Sequence, residues 1–241
     1  MQYLGGKSRI AVALSKEIAR LVEEFGAHSL YEPFCGGCSV TAALAPLLPG
    51  GVRYFASDSH PSVIALWTAL QSGWMPPDSV SEQEYQDIRA RQKTDALDGF
   101  VGFGCSFGAK YWAGYARGGH GADAATASRS CFRKIKSMPS VSFACVGYQD
   151  LQVHDGSGVY CDPPYAESTG YKQGAFDHNA FWQWATKMSE HNLVLVSEYK
   201  APPDWVPAME LPKKLGLRTT ANGQEVRIEK LFIHISRSDL L

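Results

Sequence analysis

Segments of helical period alternate with short apolar runs of strand character along most of this 241-residue chain, and that alternation restricts the fold more than any other feature. Ile10, Leu14, Ile18, Leu21, Val22 and Phe25 recur at helical spacing, and Gly26 is placed to stop that helix. Ser29–Glu32 reads as a strand ended by Pro33, and Ser39–Leu48 as a helix after a turn at Gly36-Gly37. Arg53–Ser57 is a second strand, followed by a helix through Val63, Leu66, Trp67 and Leu70. Ser81-Glu82-Gln83-Glu84 is a capping-box signature that opens another helix.

The middle of the chain changes character. Eight glycines fall within Gly99–Gly121, many beside aromatics, so this stretch is expected to be largely irregular. Ala124–Lys136 reads as a basic helix. Strand-like runs return at Val141–Val146 and Gly158–Cys161, and a helix through Phe181, Trp184, Ala185 and Met188 leads to the strand Leu193–Ser197. Leu215–Thr220 and Val226–Ser236 flank Asn222-Gly223, a strong hairpin-turn pair. Strands separated by helices argue for an α/β fold: a mostly parallel sheet with helices on both faces, here closed by an antiparallel C-terminal edge hairpin. Residues 1–80 and 139–241 are expected to form the sheet domain, and 81–138 a region inserted into it.

Composition narrows the classes. Hydrophobic residues at 45% and charged residues at 20% exclude wholesale disorder. Uninterrupted aliphatic runs such as Leu193–Val196 fall far short of a membrane span. The segment Met1–Lys7 lacks the apolar stretch of a signal peptide, and six scattered cysteines then read as reduced thiols in a cytoplasm. Cys35-x-x-Cys38 has no second pair at metal-ligand spacing, so no metal is expected. Charge is unevenly spread. Residues 103–138 carry Lys110, Arg117, Arg129, Arg133, Lys134 and Lys136 against Asp123 alone, interleaved with Phe103, Phe107, Tyr111, Trp112, Tyr115 and Phe132. Such a stretch suits phosphates and unstacked bases, and equally a solvated helix face over an ordinary core.

In sheets of this kind ligands bind outside the carboxyl ends of the strands, and three candidates fall there. The first is the junction Glu32–Ser39, where Gly36 and Gly37 remove side chains at a place of close approach. The second is Asp58, 22 residues after Gly36, at the spacing of an acid that accepts from ribose hydroxyls; an N-cap on the helix after Pro61 is the other reading. The third is Asp162-Pro163-Pro164-Tyr165, directly after Val159-Tyr160-Cys161. An aromatic amino group is a poor nucleophile because its lone pair is delocalised into the ring. If acceptors hold both of its N–H bonds, the nitrogen can pyramidalise and aim the lone pair at an electrophile. Asp162 supplies one acceptor and the Pro163 carbonyl the other, the two prolines stiffen the loop, and Tyr165 can stack on a base.

Asp-Pro-Pro-Tyr, together with Phe34-Cys35-Gly36-Gly37 upstream, resembles the S-adenosylmethionine-dependent DNA methyltransferases that modify the N6 amine of adenine. Tyr3-Leu4-Gly5-Gly6-Lys7 is similar to the aromatic-x-Gly-Gly-Lys segment that opens their Dam-like branch, and the motif order is similar to its alpha arrangement, in which the middle segment recognises the target sequence. The resemblance implies a Rossmann-like methyltransferase sheet with S-adenosylmethionine as cofactor and double-stranded DNA as partner, in a monomer or weak dimer. It further implies that Tyr3, Gly6 and Lys7 help form the cofactor pocket, with Lys7 near the methionine carboxylate or the target base. Phe34, Gly36 and Ser39 would line the methionine and ribose portion, Asp58 would bind ribose, and Asp150, in Tyr148-Gln149-Asp150, would lie beside the cofactor adenine. Two departures stand out: Cys38 occupies the family's second glycine position, and the short Gly-rich middle prevents transfer of base-reading residues.

On this reading the chain flips an adenine from duplex DNA and methylates N6, with Asp162–Tyr165 at the transfer site and the six cations of 103–138 as candidate DNA contacts. An N4-cytosine or other amine acceptor on the same fold is the nearer rival. A nicotinamide-dependent oxidoreductase built on Gly36–Asp58 and a catalytically silent DNA-binding module are the others. His178, beside Phe176 and Phe181, is either part of a loop over the flipped base or a surface histidine. Ser197-Glu198-Tyr199 lies either near the target pocket or at a strand end, and Trp182 and Trp184 are expected in the core.

Overall fold

The computed structural model describes residues 3, 5–117, 123–165, 176–214 and 226–241, without the side chains of 212–214 and 226–227. The sequence Asn222-Gly223, the run 215–220 and Gly118, Gly119 and Gly121 lie outside the described residues. The elements in chain order are α1 (Ala11–Phe25), β1 (Ser29–Glu32), α2 (Ser39–Leu44), β2 (Arg53–Asp58), α3 (Pro61–Gln71), α4 (Glu82–Ala90), α5 (Ala96–Gly104), α6 (Ala124–Lys136), β3 (Val141–Cys145), β4 (Gly158–Cys161), α7 (His178–Ser189), β5 (Leu193–Glu198), β6 (Trp205–Lys214) and β7 (Val226–His234).

The strands form one sheet in the order β3-β2-β1-β4-β5-β7-β6. β1 to β5 run parallel, while β7 is antiparallel to β5 and β6 antiparallel to β7. The expected architecture is therefore present: a mostly parallel Rossmann-like sheet with antiparallel C-terminal strands. β1, β4 and β5 are buried along their whole length, which explains the apolar runs of β4 and β5, while β1 also buries Ser29 and Glu32. Successive residues face opposite layers. Leu30, Tyr160 and Leu195 enter the larger core with Leu14, Ile18, Leu66 and Trp67, whereas Tyr31, Val159, Val194 and Val196 pack under Phe181 and Ala185 of α7.

Local chemistry fixes the ends of the elements. α1 stops at Gly26, which is left-handed (φ 71°), as expected. The Ser81–Glu84 capping box forms in full at the start of α4. The Ser39–Leu48 helix is shorter than expected: α2 ends at Leu44 and passes into a 3-10 turn at Ala45–Leu47, where Pro46 enters.

The Gly-rich middle departs from expectation. Residues 96–104 are helical, opened by a second capping box between Asp95 and Asp98. Its glycines are there for contact, not for loop formation. A Cβ at Gly99 would lie 2.0 Å from the Ser62 carbonyl oxygen in α3, and one at Gly102 would lie 2.4 Å from the Tyr111 ring. Phe100, Val101 and Phe103 of α5, Ala127 and Cys131 of α6 and Tyr85 of α4 all join the larger core, so these three helices pack onto the sheet's helical layer. Gly99→Ala is expected to destabilise the fold by about 3 kcal/mol, because backbone must give way to the new methyl. A urea-unfolding midpoint unchanged from wild type would show that α3 and α5 can separate without cost.

Candidate active site

The sheet order reverses between β1 and β4, so the chain leaves the two strands in opposite directions and opens a crevice at their carboxyl ends. The segments after the first four strands meet there. Pro33–Gly37 follows β1, Asp58–Ser62 spans the end of β2, Gly147–Gln149 follows β3, and Asp162–Tyr165 follows β4. With Tyr3, Gly5, Gly6, Lys7, Ser39 and Phe176 they line a cavity of about 950 Å³. Tyr3, Gly6, Lys7, Phe34, Gly36, Ser39, Asp58 and Asp162–Tyr165 are thus brought together from four separate stretches of chain. Thr94 and Tyr111, from the middle of the chain, also line it, and no local signal singles them out.

Asp150 does not line this cavity. The Asp150 N–H bonds to the Gly147 carbonyl (3.2 Å), and this turn leaves Tyr148 and Gln149 on the cavity wall. Asp150 instead borders a separate depression with Tyr31, Phe55 and His154. Phe34, Tyr148 and Phe176 form an aromatic wall with ring centroids 5.5 to 5.9 Å apart. His178 packs its ring against Phe176 (4.9 Å) at the first residue of α7, and is not a cavity-lining residue. Trp182 and Trp184 are half-buried against the α7-side core.

The glycine junction is organised by Tyr3. A Cβ at Gly36 would fall 2.8 Å from the Tyr3 ring, and one at Gly37 would fall 2.6 Å from the Tyr3 Cβ. The first demand on these glycines is therefore room for a side chain of the same protein. Cys38, at the departure noted in the sequence, adopts a left-handed backbone (φ 48°) and is fully buried. Trp67 Nε1 donates to the Gly36 carbonyl (2.9 Å), and Lys134 Nζ donates to the Gly37 carbonyl and to Ser39 Oγ (3.0 Å).

Lys134 is thus not aimed outward as a phosphate contact would be. On α6 it shares the inward face with Ala127 and Cys131, at a spacing of four and then three residues, and burial pushes its ammonium below the ordinary lysine value. That spacing is visible in the sequence and could have separated Lys134 from Arg129, Arg133 and Lys136, which are exposed. Lys110 and Arg117 are also exposed, with Arg117 paired to Glu82.

Two acids shape the electrostatics of the cavity. Asp58 accepts from the Gly36 N–H (3.0 Å) and the His60 N–H (2.9 Å), one on each oxygen; burial raises its pKa against these two bonds. Glu32, read from the sequence as a strand end and the first residue of the glycine junction, is buried. Its Oε2 accepts from Tyr54 (2.5 Å) and Thr41 (2.8 Å). Burial pushes Glu32 up to about 7 despite those two donors. An acid raised in the folded state favours folding while protonated. Its contribution is therefore full below the unfolded value near 4.5 and is lost as the pH rises to about 7. Glu32→Gln is expected to remove roughly 3 kcal/mol of pH dependence from the stability between pH 4.5 and 8, at 1.36 kcal/mol per unit. Urea unfolding at several pH values measures it, and parallel profiles for the two proteins would contradict it.

Where the Asp162–Tyr165 loop lines the cavity, four polar side chains converge. Lys7, with 1% of its side chain exposed, places Nζ 2.5 Å from Asp162 Oδ1 and 3.3 Å from Glu229 Oε1. It also bonds to the Tyr165 hydroxyl and lies 4.5 Å from the centre of that ring, and the Tyr165 hydroxyl donates to Glu229. Burial alone would lower the Lys7 ammonium. The charges and hydrogen bonds of Asp162 and Glu229 outweigh it and hold the group above the ordinary lysine value. Burial, followed by the same two carboxylates, raises Tyr165. Glu229 is a site residue that sequence reasoning missed.

The site therefore joins a glycine junction, an acid at the end of β2 and an Asp-Pro-Pro-Tyr loop around one cavity. Residues 3–101 match the family model of the D12 class N6 adenine-specific DNA methyltransferases. That match bears out the resemblance read from Tyr3–Lys7 and Phe34–Gly37. Within the D12-matching stretch lie Tyr3, Gly6, Lys7, Phe34, Gly36, Ser39 and Asp58, while Asp162–Tyr165 lies after it. No curated protein matches the chain. Among solved structures, it is similar to a protein assigned as an rRNA methylase from Clostridium thermocellum, at 11% identity and TM-score 0.43 over 93% of this chain and 96% of that one. It is also similar to an rRNA methylase from Streptococcus thermophilus, at 8% identity and TM-score 0.42 over 93% and 96%. A third likeness is to a precorrin-6y C5,15-methyltransferase from Geobacter metallireducens, at 11% identity and TM-score 0.38 over 92% and 86%. Among the described residues no cluster of His, Cys, Asp or Glu could hold a metal ion, and no helix is long and apolar enough to cross a membrane.

Proposed function

We propose that this protein transfers a methyl group from S-adenosylmethionine to the N6 amine of an adenine flipped out of duplex DNA. The observation that carries this reading is the meeting of the D12-matching stretch and the Asp162–Tyr165 loop on one cavity, with Lys7 of the first bonded to Asp162 of the second.

The residues present suit the cofactor. A cavity of about 950 Å³ accommodates a nucleoside-sized ligand with room for a base. Each Asp58 oxygen takes one backbone N–H and, as a carboxylate oxygen, can accept once more, as a ribose diol requires. Phe34, Gly36 and Ser39 would hold the methionine and ribose portion, with Tyr148 and Gln149 beside the adenine in the place expected of Asp150. When bound, S-adenosylmethionine supplies an electrophilic methyl on a sulfonium.

The chain's own residues prepare the acceptor. Asp162 and the Pro163 carbonyl take the two N–H bonds of the planar amine, and the paired prolines keep those acceptors in place. Lys7, held charged, keeps Asp162 oriented at Oδ1. The carboxylate need not be a strong base, because the amine becomes acidic only as the methyl arrives. Residues 81–138 supply DNA contacts on this reading. Arg129, Arg133 and Lys136 share one exposed face of α6 at a spacing of four and three residues, with Lys110 and Arg117 on the preceding loop. Lys134 is assigned instead to the glycine junction. Unpairing the target costs a few kcal/mol, which contacts of this kind offset.

The test is nucleoside mass spectrometry of duplex DNA treated with the purified chain and methyl-labelled cofactor. N6-methyldeoxyadenosine is expected. Label on N4 of cytosine, or in RNA alone, overturns the acceptor, and cofactor-independent DNA binding with no label overturns the activity. A fluorescence titration in which a nicotinamide dinucleotide binds and S-adenosylmethionine does not would overturn the cofactor.

A further inference from the structure

The inward positions of β7 alternate through Glu229, Leu231 and Ile233, each at most 1% exposed. Leu231 and Ile233 belong to the apolar core, so Glu229 places a carboxylate where the strand's pattern calls for a third apolar side chain. A carboxylate buried at such a position is costly unless paired and hydrogen-bonded, and Glu229 is both. Its Oε1 lies 3.3 Å from Lys7 Nζ and accepts from the Tyr165 hydroxyl.

An ammonium has three N–H bonds to place. Around Lys7 the acceptors are Asp162 Oδ1, the Tyr165 hydroxyl and Glu229 Oε1, the first two from the loop after β4 and the third from β7. Three acceptors fix the ammonium in position and direction, whereas the two from the loop alone would leave it free to swing about the line joining them. Glu229 is also the group that receives the hydroxyl proton of Tyr165, and so sets where that ring stands on the cavity wall.

We propose that Glu229 is a positioning residue of the transfer site, acting from the C-terminal strands through Lys7 and Tyr165 to orient Asp162. This rests on the methyltransferase reading for what the site does, but the network it describes exists without substrate.

Two measurements test it in the full chain. The first needs no substrate: the 19F signal of 3-fluorotyrosine at position 165 is expected to shift in Glu229→Gln and to return toward wild type in Glu229→Asp. An unchanged signal overturns the proposal whether or not the chain methylates DNA, while a shifted signal in a chain that transfers no methyl group overturns the activity and leaves the network standing. The second is kinetic. Glu229→Gln is expected to lower kcat at least tenfold, with KM for DNA and for S-adenosylmethionine within twofold, and Glu229→Asp to recover part of the loss. A kcat equal to wild type, or a loss expressed only in KM, assigns Glu229 to the fold alone and overturns the role. Where Glu229→Gln does not fold, Tyr165→Phe removes the hydroxyl contact and is expected to give a kcat loss of similar size; full rate in that variant overturns the proposal.

Discussion

Asp162→Ala is expected to slow methyl transfer by about a thousandfold, a loss of roughly 4 kcal/mol of transition-state stabilisation. On the proposed activity Asp162 is one of the two acceptors that draw the amine's lone pair out of the ring, and the Pro163 carbonyl alone cannot hold both N–H bonds. The ion pair lost with it is partly replaced, because Lys7 keeps Glu229 and the Tyr165 hydroxyl. Asp162 is also the least buried of the charged partners, with 20% of its side chain exposed, so the fold is expected to survive. Equilibrium titration with S-adenosylmethionine should then move less than about threefold, since Phe34, Gly36, Ser39 and Asp58 are untouched. Turnover within tenfold of wild type would contradict the role assigned to this carboxylate.

Lys7→Met is expected to act on the fold itself. It removes the cation between two carboxylates while filling nearly the same volume, so that Glu229, 1% exposed, loses the ammonium 3.3 Å from its Oε1. Breaking a buried pair from one side typically costs about 3–5 kcal/mol, a large part of the stability of an ordinary domain. Urea unfolding at neutral pH measures it. A variant as stable as wild type would show that Lys7 is not what compensates Glu229. Lys7→Arg is not expected to rescue, because a planar guanidinium cannot direct three N–H bonds toward the converging acceptors that a tetrahedral ammonium reaches.

The centre of the sheet is legible in the sequence because its strands are buried on both faces, which makes β4 and β5 short apolar runs, while β1 is marked by Leu30-Tyr31 and the break at Pro33. The edge is not. Pro207 and Pro212 suppress the strand signal of Trp205–Lys214, yet β6 is the outermost strand, where a residue without an N–H is tolerated and a bulge between Pro207 and Met209 absorbs the irregularity. The α5 glycines mislead for a related reason. A glycine read locally is a helix breaker, and only the Ser62 carbonyl pressed against Gly99 shows why a helix would accept one.

The candidate site divides in the same way. Asp58 and Asp162–Tyr165 stand at strand ends, where periodicity alone marks a place for ligands. The partners that orient them are out of reach of any local pattern: Lys7 and Asp162 are 155 residues apart, and Tyr165 and Glu229 are 64 apart. Asp150 shows the limit from the other side, since one backbone turn decides which of three consecutive residues meets the cavity.

The two faces of α6 have a thermodynamic implication. Its outward cations are the proposed contacts to DNA, and its inward Lys134 grips the junction on which the cofactor is proposed to rest, 97 residues away in the chain. On that proposal a single rod touches both substrates and makes each a reporter of the other's occupancy. Whatever factor DNA adds to cofactor affinity through that rod, the cofactor must return to DNA in equal measure, so one pair of titrations fixes the linkage in both directions.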